Sequence, residues 1–461
     1  MRSAVIVVGA ALCACAPRVT QLGAVELRAQ RFTDATAISD ASAAEASVDA
    51  ARAGRGVVTR RGVCLFRDGA RLRLVGSSAF HLHEESVRAQ LGWEGSRTSI
   101  QATLDAAARN GVKVLRVAAF DERPRSPEAI QPAPGELREQ SLVALDRVIA
   151  EAERRDVLLI LVLSNYWDDY GGLPQYLRWL GLATDYDHRA LAMRDPRVLD
   201  AMTRYMRAIV TRRNTLTGRT YSDEPSILAW ELMNEPRGTN LHDGGRAFAA
   251  FIHGLAEAVK RAGARQLVVA GDEGYDSDPR GYDQRFWNRL DDRLINPSRG
   301  ESFRRLVDDP LLDAATVHWY PDHWRVDPAI ASEGGERWLR EHAAIAESAD
   351  KPVLFEEFGL MAQRHPSLPS RRAAYERWFS TAFSLNNVAA AMPWGLHWNP
   401  TFQERDGFEW GAREGDSDPY ATIVQRWSAR FAADQGDRGC TREERERERR
   451  AAAPKADPNE L

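Results

Sequence analysis

Two hydrophobic periods take turns along the chain. Short runs rich in Val, Ile and Leu read as strands at Arg71–Ser77, Val112–Val117, Val157–Leu163, Ile227–Met233, Gln266–Gly271, Ala314–Trp319, Val353–Glu357 and Val388–Trp394. Between them, apolar residues recur every three to four positions, as on one face of a helix. Ser99–Asn110 is such a stretch, and Glu139–Arg155 puts Leu142, Leu145, Ile149 and Ala152 on one face. Asp195-Pro196 joins a capping side chain to a proline at the first helical position, opening a helix to Arg213. Gly244–Ala262 sets Phe248, Ile252, Leu255 and Val259 in register. Ser302–Val307, Gly335–Ser348, Arg371–Leu385 and the stretch from Asp418-Pro419 to Ala433 complete the helices. Val157–Leu163 is apolar throughout, as in a strand buried on both sides.

Repeated strand–helix units imply a parallel sheet. Eight of them predict an α/β fold of the (β/α)8 TIM-barrel type. No Gly-rich phosphate loop follows the first strand, which argues against a dinucleotide-binding fold. Gly62–Arg71, with Asp68-Gly69 at its centre, reads as a hairpin closing the barrel bottom. The barrel is expected over residues 57–434. A flexible tether over 16–56 and a charged tail over 435–461 flank it; the opposite charges of the tail's Arg/Glu run are compatible with a solvated helix, and disorder is the simpler expectation.

The N-terminus changes the picture. Met1-Arg2 precedes the apolar run Ala4–Ala14, too short to span a bilayer and the right length for a signal-peptide core. Leu12-Cys13-Ala14-Cys15 resembles a bacterial lipobox. Residues 1–15 are therefore expected to be a lipoprotein-type signal with lipid on Cys15, or else an ordinary cleaved signal. Either reading puts the protein outside the cytoplasm, secreted or tethered to the cell envelope, with a lipid on Cys15 as its only membrane attachment. Cys64 and Cys440 stand near the two edges of the barrel region. They form a disulfide tying the ends together or remain two thiols, since sequence does not give their distance.

With 461 residues, 44% of them hydrophobic, the chain can build one large core. Its net charge of −4 gives no case for a nucleic-acid partner. Thirteen Trp are many, and Trp faces can stack on sugar rings as well as fill cores. Trp319, Trp324 and Trp398 are candidate platforms.

A TIM barrel carries its active site at the C-terminal ends of its strands. In strand order, those ends hold Arg116, then Asn165 and Trp167, then Asn234-Glu235, then His318 and Tyr320, then Glu356-Glu357, and finally Trp394. Glycoside hydrolysis needs two carboxyl groups across the scissile bond, one protonated and one ionised. Glu235 and Glu357 end the fourth and seventh strands, on opposite sides of the ring. Strand alternation turns Glu356 to the other face, as a structural residue. Asp168-Asp169 and the His81-x-His83 pair lack the further partners of a metal site, so no metal and no cofactor is expected.

Leu228-Ala-Trp-Glu-Leu-Met-Asn-Glu-Pro-Arg237 resembles the acid/base segment of glycoside hydrolase family 5, and Lys351-Pro-Val-Leu-Phe-Glu-Glu-Phe-Gly359 resembles its nucleophile segment. Gln131–Gly135, Asn165–Gly172, Arg213–Gly218 and Thr316–Trp324 look like its endo-β-1,4-mannanase branch. The resemblance spans Cys64 to Ala433 and implies a retaining, metal-free glycosidase. Glu235 would be its acid/base and Glu357 its nucleophile. Arg116, Asn234, His318, Tyr320 and Trp394 would support them, with Asn165 and Trp167 at the substrate. The implied partner is a β-mannan-type polysaccharide, cleaved by a monomer. The chain departs from that branch at Ala118, where an aromatic is common, and at Ser77-Ser78-Ala79-Phe80-His81. A cellulase-type endo-β-glucanase, an exo-β-mannosidase and a surface carbohydrate-binding protein without turnover stay open as alternatives.

Overall fold

Eight parallel strands make a nearly closed barrel: β4 (Leu74–Ser78), β5 (Val114–Ala118), β6 (Leu158–Val162), β7 (Ile227–Glu231), β8 (Leu267–Val269), β9 (Ala315–Trp319), β10 (Val353–Phe358) and β11 (Val388–Pro393). They are preceded by β1 (Thr59–Arg61), β2 (Cys64–Arg67) and β3 (Ala70–Leu72), a small antiparallel sheet. The computed structural model describes residues 55–93, 99–288, 294–397, 408–411 and 418–452. The expected signal, Cys15, most of the tether, Trp398 and the last nine residues lie outside the described residues.

The barrel order is β8-β7-β6-β5-β4-β11-β10-β9, so β8 and β9 flank the one seam of the sheet. Hydrogen bonds from loops bridge it. Asp313 N donates to Val268 O at 2.8 Å, and His318 N donates to Glu273 O at 3.1 Å.

Side-chain alternation sorts the strands' apolar residues into two cores. Leu158, Ile160, Leu228, Leu267, Val269, Leu354 and Met392 form the inner one, and Val58 and Leu65 from the small sheet's end plug it. Leu159, Leu161, Val317 and Phe355 join the outer one, against helical residues such as Leu145, Ile149, Phe248 and Leu255. Each strand is thus covered on both faces, which is why these segments read as continuous apolar runs.

Several boundaries differ from the sequence reading for local reasons. The expected hairpin is a three-stranded sheet. β5 starts at Val114 because Val112 N is still tied to Ala107 O, 2.9 Å away, at the end of the preceding helix. The last barrel helix runs Ala421–Ala433, because Asp418 Oδ1 accepts from Tyr420 N and Ala421 N and the chain turns there first. Leu82–Gln90 and Gly172–Leu180 are helices that the period did not reveal. One holds the polar run His-Glu-Glu-Ser, and the other starts at a Gly pair and contains Pro.

The tail is the largest correction. Arg442–Ala452 is helical rather than disordered. Its Arg445 is buried and donates to Cys440 O at 2.9 Å and to Asp350 Oδ1 at 2.8 Å. Cys440 is disulfide-bonded to Cys64, with a Cα–Cα distance of 5.3 Å. That bond joins the two edges of the barrel region across 376 residues. Among the described residues, no helix is long and apolar enough to cross a membrane.

A cross-link over so long a loop restricts the unfolded chain strongly. The double variant Cys64→Ser/Cys440→Ser should lose about 2–5 kcal/mol of stability. Chemical denaturation of both proteins checks this; equal midpoints would show that the bond contributes nothing.

Candidate active site

The site is built around Arg116. It sits in the middle of β5, fully buried, with its guanidinium inside the barrel mouth. Nε donates to Glu231 Oε2 at 2.5 Å, and NH2 donates to Glu231 Oε1 and, at 2.6 Å, to Asn234 Oδ1. NH1 pairs with Glu357 Oε1. One planar cation therefore orients three side chains from β7, the loop after it and β10, a task suited to a fork of fixed donors.

Glu235 follows β7 in the left-handed backbone region, at φ 48°. That costs a non-glycine residue about 1–3 kcal/mol. Its N–H donates to Gly271 O at 2.8 Å, which helps hold the turn. Gly271 itself has φ 84°, and a Cβ there would meet Met233 O at 2.2 Å and Glu231 Oε1 at 2.4 Å. The Glu235 carboxylate accepts from Trp167 Nε1 at 2.7 Å and shares a 2.9 Å hydrogen bond with His318 Nδ1. Asn234 Nδ2 donates to Asn165 Oδ1 at 3.0 Å, and the same oxygen takes Trp167 N at 3.2 Å. Gly172 permits this loop, since a Cβ there would lie 2.4 Å from Asn165 O.

Across the mouth, Tyr320 OH donates to Glu357 Oε2 at 2.8 Å. Glu235, His318 and Glu357 each offer an atom within 4.8 Å of the others. Glu356 and Glu357 face the same side: Leu354 is inside and Phe355 outside, so Glu356 keeps the alternation and Glu357 breaks it. β10 changes register against β9 between Phe355 and Glu357, an irregularity of the kind that re-aims a side chain. Glu357 is thereby brought to the inner side beside Glu356, whose Oε2 lies 3.8 Å from His318 Nε2.

These groups floor a cleft of about 730 Å³. Trp394, Trp167, Tyr320 and Trp324 line it. Trp319 does not: it is fully buried and its Nε1 donates to Ala331 O. Asp168 pairs with Arg178 and Arg189, away from any metal-like grouping. The two glutamates and the seven supporting residues expected from sequence come together here. The reading missed Glu231, Arg237 and Glu273. Glu231 had a signal, a carboxylate inside an apolar strand. The Arg237–Glu273 pair, 2.5 Å apart, had none, because it joins two separate loops.

A profile described as GH family 5 beta-mannosidase-like matches residues 56–394. The chain belongs to glycoside hydrolase family 5. It is 32% identical over 347 residues to mannan endo-1,4-beta-mannosidase 2 of Arabidopsis thaliana, covering 71% of this chain and 73% of that one. It is 31% identical over 403 residues to mannan endo-1,4-beta-mannosidase 2 of Oryza sativa subsp. japonica, covering 83% and 86%. An endo-beta-1,4-mannanase structure from Thermotoga petrophila superimposes with TM-score 0.68 at 29% identity, over 80% of this chain and 78% of that one.

The charges of this family 5 site set one another. Burial alone would lower the His318 imidazole; the charges of Glu357 and Glu235, the hydrogen bond at Nδ1 and the Glu356 carboxyl beside Nε2 raise it well above its usual range. Burial alone would raise Glu235, but His318 overcomes that and holds the carboxyl at about 2. The resting proton of this pair therefore sits on His318. Burial raises Glu357, opposed by His318 and Arg116 and assisted by the like charge of Glu235. Burial and the charge of Glu231 push Glu356 up to about 7.

A histidine raised on folding stabilises the fold fully below its unfolded value of about 6.5 and loses that contribution as pH climbs through its folded value. The melting temperature should therefore decline on the alkaline side of neutrality. His318→Gln should lower it at pH 6 and flatten the alkaline decline. Melting curves from pH 6 to 10 check this, and an unchanged slope in the variant would refute the assignment.

Proposed function

We propose that the chain is a retaining endo-β-1,4-mannanase in which Glu357 is the nucleophile and Glu235 the acid/base. The observation that carries this reading is the spacing of the two carboxylates. Their oxygens lie within 4.8 Å of each other. Retaining glycosidases keep the carboxyl groups about 5–5.5 Å apart, whereas inverting ones need about 6.5–9.5 Å to admit a water. Tyr320 and Arg116 aim Glu357 while leaving it a carboxylate that can attack. Mannan as substrate is supported by the relatives named as mannan endo-1,4-beta-mannosidases.

In the first step, a Glu357 oxygen bonds to the anomeric carbon as the bond to the leaving oxygen breaks. The proton held between His318 and Glu235 passes through Glu235 to that oxygen. Its transfer to Glu235 removes the like charge of Glu235 and the opposing charge of His318 together, leaving Arg116 and Tyr320 to hold Glu357 as a carboxylate. In the second step, water gives a proton to Glu235 and its oxygen to the anomeric carbon, and Glu357 leaves as a carboxylate. In this reading Asn234 bonds the sugar's 2-hydroxyl and Trp394 floors the cleaved sugar. Asn165 and Trp167 hold that wall.

The export reading draws support from the Cys64–Cys440 bond, since disulfides persist in oxidising compartments. Lipid attachment at Cys15 belongs to the same proposal. Cys15→Ser should move the protein from the membrane fraction to the soluble fraction of the producing cells. Native protein found soluble from the outset would leave plain secretion.

Two variants test the chemistry. Glu357→Ala should lower turnover of mannan by at least about 10⁴-fold, since the covalent step disappears. Glu235→Ala should lower it by about 10²–10⁴-fold, and less for substrates whose leaving group needs no proton. Product sizing on mannan, glucomannan and cellulose completes the experiment. Mannan oligosaccharides of mixed length are expected; release of mannose alone, or cleavage of cellulose in place of mannan, would overturn the reading.

A further inference from the structure

We propose that His81, Glu85 and His397 form a binding site for a zinc-like divalent cation in the wall of the cleft. The proposal is independent of the catalytic reading. The His81-x-His83 pair, set aside in sequence for want of further partners, comes apart in the fold: His83 Nε2 is engaged with Ser141 O at 3.0 Å, in the packing between helices. His81 instead meets His397, with ring centroids 4.5 Å apart. Glu85 stands one helical turn beyond His81, and its Oε2 lies 4.0 Å from His81 Nε2. One ligand atom from each of the three residues lies within 4.8 Å of the other two.

The chemistry suits a borderline metal. Two imidazoles and one carboxylate are a common zinc set, and they leave a fourth position open. Calcium and magnesium take mainly oxygen ligands and fit this set poorly. Ligands around one tetrahedral ion at about 2.0–2.1 Å stand roughly 3.3 Å apart, so the triangle needs to contract by about 1–1.5 Å at most. His81 Nε2 is buried and has no hydrogen-bond partner among the described residues. An orphaned buried nitrogen beside a carboxylate and a second imidazole is a site that a cation completes.

The frame is firm. Glu85 N donates to His81 O at 3.0 Å in the first turn of helix Leu82–Gln90. His397 comes from the segment after β11, fixed by Leu396 N to Ser78 O at 2.8 Å and His397 N to Trp410 O at 2.9 Å. Both histidines line the cleft that holds Glu235 and Glu357. The three-residue site therefore borders the catalytic cleft.

Calorimetric titration of the full-length protein with Zn²⁺ tests the site, with Ca²⁺ and Mg²⁺ as controls. One equivalent of Zn²⁺ should bind, with little uptake of the controls. His397→Ala, His81→Gln and Glu85→Gln should each weaken binding at least about tenfold, while Glu235→Gln, which alters the other three-residue grouping, should leave it intact. Melting curves of the metal-free variants show which of them fold, and at least one histidine variant with a native-like curve is required for the comparison. In the native protein Zn²⁺ should raise the melting temperature, and in the folded variants it should not. Absence of saturable binding, binding unchanged in the histidine variants, or binding lost in Glu235→Gln would each overturn the proposal. Loss of mannan-oligosaccharide affinity in the histidine variants without any zinc uptake by the native protein would also overturn it, and would make these residues sugar contacts.

Discussion

A single guanidinium in the barrel mouth organises this molecule. Arg116 neutralises Glu231, aims Glu357 and fixes Asn234, and it does so with no exposed surface. Removing one partner of a buried pair of this kind costs about 3–5 kcal/mol, because the other charge is left behind in a dry site. The arrangement is therefore obligatory for any ionised carboxylate at position 357. It also explains the composition of the inner core, which is aliphatic below and ionic only at the rim where the strands end.

The crowding of acids around that cation leads to the proton arrangement. Glu231, Glu235, Glu356 and Glu357 surround Arg116 and His318, so negative groups outnumber positive ones. Such a cluster retains protons at neutral pH. His318 touches three of the four acids with its two nitrogens, which is why it is the group raised well above its usual range. The proposed acid and nucleophile are thereby coupled: the charge state of each depends on where one proton resides.

Much of this was legible in the chain because it is local. A strand end is marked where an apolar run meets a polar residue, and Asn234-Glu235 and Glu356-Glu357 stand at such points. The choice of Glu357 rested on the resemblance of its segment to family 5. The argument that turned Glu356 outward failed, because it assumed an unbroken strand. A register change in β10 depends on how β9 packs beside it, and no property of residues 353–358 alone announces it. The choice between helix and disorder at Arg442–Ala452 is undecided in sequence for a related reason. The segment's charged faces look solvated in sequence, yet Arg445 docks on Cys440 and Asp350 while Arg442 and Arg449 reach Ser348 and Glu347.

The sequence by itself determined the repeat of strands and helices, the inner and outer faces of each strand, and the roster of polar residues at the strand ends. These follow from periodicity and short-range sterics, which act over a few residues. Tertiary structure decided which of those residues share a charge or a proton. It put Arg237 on Glu273 and His81 beside His397, and it closed the chain on itself at Cys64 and Cys440. Each of those contacts joins segments tens to hundreds of residues apart. Electrostatic coupling depends on distance through space, which the order of residues along the chain does not encode.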